Sequence, residues 1–91
     1  MTDVITELTI CNQKGLHARA AAAFVKCVNE FDAEVFVEKD GQEVDGTSIL
    51  SLMMLAASKG TIIKVRASGN EASQVVSSLT ALVNARFGEE Q

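Results

Sequence analysis

The sequence predicts an α+β fold of the open-faced sandwich kind: a four-stranded antiparallel sheet with three helices on one face. Three observations lead there. Stretches alternating with a period of two are interleaved with stretches periodic at 3.6, in the order β-α-β-β-α-β-α. The chain has 91 residues, 47 % of them hydrophobic, which fills one core and leaves too little apolar area for a second. Residues 1–91 therefore read as one domain. With no proline and no tryptophan or tyrosine, the turns rest on Gly, Asn and Asp, and the core on Val, Ile, Leu and Ala.

The elements follow in order. "DVITELTIC" alternates, with Val4, Thr6, Leu8 and Ile10 on one side of a strand, and "NQKG" turns the chain. After His17, Ala21, Phe24, Val25 and Val28 fall at i, i+3, i+4, i+7, an amphipathic helix closing near Phe31. "AEVFVEK" is a strand by its β-branched and aromatic content, with Val35 and Val37 inward, and "DGQ" turns it into a short strand around Glu43 and Val44. "DGTSILSLMMLAASKG" starts on N-cap residues and stops on glycine, which frames a short helix. "TIIKVRAS" is the last strand and "GN" the turn after it. A final helix runs from about Glu71 to Phe87, with Ala72, Val75 or Val76, Leu79, Leu82 and Val83 at helical spacing. "GEEQ" reads as a frayed end, and Glu34, Glu38, Lys39 and Asp40 as a solvated strand edge and turn. There is no internal repeat, linker or low-complexity segment.

The net charge of −4, with only eight Lys and Arg, argues against a nucleic-acid partner, because no basic stripe is available to follow a phosphate backbone. Cys11 and Cys27 read as reduced thiols. "MTDVITELTI" has no basic region followed by an apolar core, and no apolar run reaches membrane-spanning length. The expectation is a cytoplasmic monomer without membrane contact. One histidine and no clustered Cys or Asp leave no ordinary metal spacing, so neither a metal nor another cofactor is expected.

The single histidine, His17, stands where a helix begins, in "NQKGLHARAAAAFVKCV". Leu16 before it occupies the staple position that fixes how a chain enters a helix. The first turn offers unpaired backbone N–H groups, here those of Ala18, Arg19 and Ala20, and the positive end of the helix dipole, which together suit an anion. Arg19 adds a planar fork of donors matched to phosphate oxygens. Neutral imidazole is a capable nucleophile near neutral pH. On residue types alone, two readings stand: a histidine that only caps a helix, and an imidazole that carries phosphate. Ser48 likewise has a plain reading as an N-cap, worth about 1 kcal/mol.

Two motifs carry a resemblance. "GLHARAA" at 15–21 resembles the active-site signature of the HPr family, the histidine-phosphorylatable carriers of the phosphoenolpyruvate-dependent phosphotransferase system. "TSILSLMML" at 47–55 resembles that family's second helix with its regulatory serine. The resemblance spans almost the whole chain and agrees with the predicted element order. It implies that His17 is phosphorylated through Nδ1 and that Arg19 steadies the phosphoryl group. It also implies a donor, enzyme I charged by phosphoenolpyruvate, an acceptor histidine on an enzyme IIA-type protein, and a serine kinase/phosphorylase acting on Ser48.

One departure stands out: Ala20 occupies the place where many members have proline. Alanine keeps helix propensity and restores an N–H, so the anion site gains a donor. The change points towards a nitrogen-regulatory branch over a sugar-transport one. The second helix carries Ile49, Leu50, Leu52, Met53, Met54 and Leu55, too many apolar residues for one buried face. With Leu52 and Leu55 inward, Ile49, Leu50 and Met53 form an exposed patch, which the resemblance makes the docking surface for donor and acceptors. Lys14, Arg19 and Lys26 add positive charge suited to acidic partners. The competing reading is a non-catalytic regulatory module of the same fold, with His17 a helix cap.

Overall fold

In a computed structural model, which describes residues 3–91, the chain runs β1 (Val4–Thr9), α1 (Ala18–Asn29), β2 (Glu34–Lys39), β3 (Gln42–Asp45), α2 (Ile49–Met54), β4 (Ile62–Ser68), α3 (Ala72–Asn84) and a short 3₁₀ turn (Arg86–Gly88). The four strands form one sheet in the order β1-β4-β2-β3, and every neighbouring pair is antiparallel. Register follows the apolar alternation: Leu8 lies opposite Ile63, and Val37 lies between Val65 and Val44. A one-residue slip would turn this whole set to solvent.

One face of the sheet therefore presents Leu8, Val35, Val37, Ile63, Val65 and Ala67, all buried. Against it lie Phe24 and Val28 of α1, Leu52 of α2, and Val75, Leu79 and Val83 of α3, in one continuous core. The other face is open and carries charged side chains beside the exposed Ile5 and Ile62. Arg66 there donates to Glu43 at 2.9 Å and to Asp3 at 3.2 Å, and its guanidinium stacks 4.8 Å from the centre of the Phe36 ring.

Four expectations need correction. β2 is not an edge strand: it is paired on both sides, by β4 and β3. Lys39 is not simply solvated, because its Nζ donates to the carbonyls of Leu55 at 3.0 Å and Ala56 at 3.3 Å, closing the end of α2. That helix stops at Met54, well short of the glycine at 60, because Ala56 takes a left-handed conformation (φ 55°). The last helix also stops early, at Asn84, and does not reach Phe87. Arg86 and Phe87 are both left-handed (φ 57° and 55°), which turns the chain back while Phe87 stays buried in the core.

Candidate functional site

The segment leading into α1 is tied down at three points. Ile10 exchanges backbone hydrogen bonds with Gly60 and Thr61. Asn12, fully buried, bridges the turn by donating from Nδ2 to the Gly15 carbonyl at 2.8 Å. Leu16 N–H donates to the Ala57 carbonyl at 2.9 Å. Between the last two lies Gly15, at φ +67°, where an added Cβ would stand 2.5 Å from the Ala57 oxygen. Glycine is required there twice over, by conformation and by space. Leu16 and Ala21 are both buried at the two positions of a hydrophobic staple.

His17 is thereby set at the N-cap of α1 in extended conformation (φ −79°, ψ −178°), and its carbonyl accepts the first intrahelical bond, from Ala21 at 2.8 Å. Its side chain caps no amide. The helix-cap reading of the imidazole is thus not realised, and the amides of Ala18, Arg19 and Ala20 keep their donors free of a side-chain cap. The ring is 27 % exposed and bonds elsewhere: its Nε2 lies 2.5 Å from Glu89 Oε2. Glu89 Oε1 in turn accepts from Asn12 Nδ2 at 3.1 Å. The hydrogen bond from His17, then that from Asn12, hold the Glu89 carboxyl below its ordinary range, with the charge of Lys14 a smaller contribution.

This corrects the expectation of a frayed tail. Glu89 and Asn12 are the residues that sequence reading missed. Asn12 had only its place in a turn to mark it. Glu89 lies 72 positions from its partner, and no local pattern signals such a contact.

Arg19 is exposed and forms no ion pair among the described residues. It lines a concavity of about 460 Å³ together with Lys14, Phe87, Gly88 and Glu89. Lys26 is placed apart, in a groove between α1 and α3 beside Ala23, Cys27 and Leu82. Ser48 is the N-cap of α2, and its Oγ accepts from Ser51 N–H at 3.2 Å. In front of it, Asp45 Oδ1 accepts from the hydroxyl of Thr47 at 2.6 Å and its N–H at 2.8 Å, which lowers the Asp45 carboxyl. Leu52 and Leu55 are buried, while Ile49, Leu50 and Met53 are exposed, joined by Met54 at 67 %. Among the described residues, no helix is long and apolar enough to cross a membrane.

The family model described as "PTS HPr component phosphorylation site" matches residues 4–85. The chain belongs to the HPr family. Its relatives include the phosphocarrier protein HPr of Neisseria meningitidis serogroup A, 44 % identical over 82 residues, which covers 90 % of this chain and 92 % of that protein. The phosphocarrier protein NPr of Shewanella violacea is 37 % identical over 89 residues, 98 % of either chain. Among solved structures, HPr of Thermoanaerobacter tengcongensis superposes over 100 % of both chains with a TM-score of 0.88 at 37 % identity. The fold described above is thus the fold of HPr. The tail that reaches His17 through Glu89 lies past the segment the HPr family model matches.

Proposed function

We propose that this chain is a phosphocarrier in which Nδ1 of His17 accepts a phosphoryl group from phosphorylated enzyme I and yields it to a histidine of an enzyme IIA-type acceptor. The observation that carries the reading is the N-cap position of His17: its ring caps nothing and stands beside amides that no side chain has taken. In the transfer, the Nδ1 lone pair forms a bond to phosphorus as the bond from phosphorus to the donor breaks. The amides of Ala18, Arg19 and Ala20 and the guanidinium of Arg19 receive the phosphoryl oxygens. Such chemistry asks a protein for position and charge stabilisation above all, and the anchored Gly15–Leu16 segment provides the position. Onward transfer is the same step reversed on an acceptor, so the domain needs no turnover of its own.

Donor and acceptors meet, on this reading, at the exposed Ile49, Leu50 and Met53 of α2, while Lys26, in the groove between α1 and α3, stands apart from that surface. The location is the cytoplasm and the working form a monomer. Ser48 is the regulatory position, open to a serine kinase/phosphorylase. A phosphate there brings about −1.5 to −2 charges, which repel acidic partners without unfolding the domain. Equal phosphotransfer rates for wild type and Ser48→Asp would remove this part of the proposal. Ala20, together with the NPr relative, favours the nitrogen-regulatory branch.

The central test is incubation with phosphoenolpyruvate and a compatible enzyme I. The expected product carries an acid-labile, base-stable phosphate, and His17→Ala carries none. Label that persists in His17→Ala excludes His17 as the acceptor.

A further inference from the structure

The tail after α3 is folded into the site by features with no other evident purpose. Arg86, Phe87 and Gly88 take three successive positive φ values, 57°, 55° and 81°. Two of these residues are not glycine, and strain of this kind persists only where the surroundings enforce it. Phe87 is the anchor, 8 % exposed within the core. Backbone bonds from Gly88 to Ala85 at 3.0 Å and from Glu89 to Arg86 at 2.9 Å complete the reversal. Glu89 then reaches His17 Nε2 with one oxygen and Asn12 Nδ2 with the other. Asn12 is fully buried, and among the described residues its own Oδ1 has no partner. An amide buried with an unsatisfied oxygen is costly, and the orientation is retained because Nδ2 faces two acceptors, the Gly15 carbonyl and Glu89.

We propose that Glu89, held by Asn12, is a positioning residue that fixes the ring of His17 with its proton on Nε2 and so presents Nδ1 as the nucleophilic nitrogen. This rests on the phosphocarrier reading for its consequence, though the ring geometry stands without it. An ionised carboxylate only accepts hydrogen bonds, so the proton shared with Nε2 belongs to the ring. Neutral imidazole has one N–H, and placing it on Nε2 leaves the lone pair on Nδ1. The lowered proton affinity of Glu89 agrees with an ionised acceptor. When Nδ1 bonds to phosphorus, no proton has to leave. The Nε2 proton stays, the ring gains positive charge, and the carboxylate already facing it offsets that charge. Second partners of this type commonly set ring tautomer and orientation at functional histidines.

The test compares wild type, Glu89→Ala and Glu89→Gln by ¹⁵N NMR of the imidazole and by phosphate uptake from enzyme I. Wild type should show protonated Nε2 and unprotonated Nδ1. Glu89→Ala should show a mixture of tautomers and a rate at saturating donor lower by about tenfold, the loss expected for one charged hydrogen bond, with the KM for the donor unchanged. Glu89→Gln keeps an accepting oxygen without the charge and should restore the tautomer and part of the rate. Unchanged imidazole shifts in Glu89→Ala overturn the assignment. So does an unchanged or faster rate, the faster one marking the tail as an obstruction. The NMR arm uses unphosphorylated protein. A wild type that takes no phosphate therefore sinks the carrier reading and leaves the NMR arm to decide the role of Glu89 on the ring.

Discussion

α1 and α2 both follow a tight turn and both start on a polar N-cap, yet their mouths are treated in opposite ways. At α2, Ser48 turns its hydroxyl onto the Ser51 amide, and Asp45 with Thr47 fills the approach. At α1, His17 turns away to Glu89, and its side chain bonds none of the first amides. The first arrangement stabilises a helix of six residues that has little propensity of its own. The second forgoes that cap on a helix of twelve residues, which holds through its buried face. A helix start with its donors unspent is a site for an anion. The contrast separates an end arranged for stability from one arranged for chemistry, and four experiments bear on it.

The largest effect is expected at Gly15, on which the open mouth depends. Gly15→Ala places a Cβ 2.5 Å from the Ala57 oxygen at φ +67° and should cost about 2–4 kcal/mol. Urea unfolding measures it, and wild-type stability in the variant would mean that the loop does not hold the mouth in place. Next comes Arg19→Ala. The side chain is exposed and has no ion pair among the described residues, so stability should stay within about 0.5 kcal/mol. Phosphate uptake on His17 should fall about tenfold or more, as for loss of a charged donor. Uptake at the wild-type rate would remove Arg19 from the site.

Ser48→Ala is the mirror image. It should lower stability by about 1 kcal/mol, the worth of a lost N-cap, and leave phosphate uptake unchanged. Together the two variants form a crossed pair. A Ser48→Ala protein that keeps its stability but loses uptake would reverse the assignment of the two mouths.

Most of the framework was legible because it is written locally. Alternation in "TIIKVRAS" and the 3.6 period from Ala21 to Val28 are short-range patterns, and burial followed them at Ile63, Val65, Phe24 and Val28. The punctuation of helices was less legible. Gly60 looked like the end of α2, but the stop is Ala56 in a left-handed conformation with Lys39 on the last carbonyls. Nothing in the spacing of an alanine announces that, and the lysine that meets those carbonyls sits on β2, 16 and 17 positions away. Likewise "GEEQ" reads as a solvated tail until Phe87 is seen buried, because apolar anchoring of a chain end depends on what the fold leaves uncovered. The site was half visible. His17 and Arg19 lie in one motif, while Asn12 and Glu89 join it only through tertiary contact.

The smallest effect concerns acid. Glu89 and Asp45, one at each mouth, have carboxyl groups held below their ordinary values, Glu89 chiefly by His17 and Asp45 chiefly by the Thr47 hydroxyl. For a carboxylate whose folded value is depressed, the stabilisation is complete above the unfolded value and disappears as pH falls through the folded one. The Glu89 contact should thus be intact from neutral pH down to about 4.5, its unperturbed value, and be lost only in more acid solution. The carboxyl ¹³C shift of Glu89 reports this directly. His17→Ala should raise the Glu89 midpoint more than Lys14→Ala does, since the His17 hydrogen bond is the largest cause and Lys14 the smallest. Asp45 should titrate identically in both variants, because its partner is the neutral Thr47. Joint movement of the two carboxylates would mean that the mouths are coupled, and a Glu89 midpoint indifferent to His17 would mean that the tail is held by something other than the imidazole.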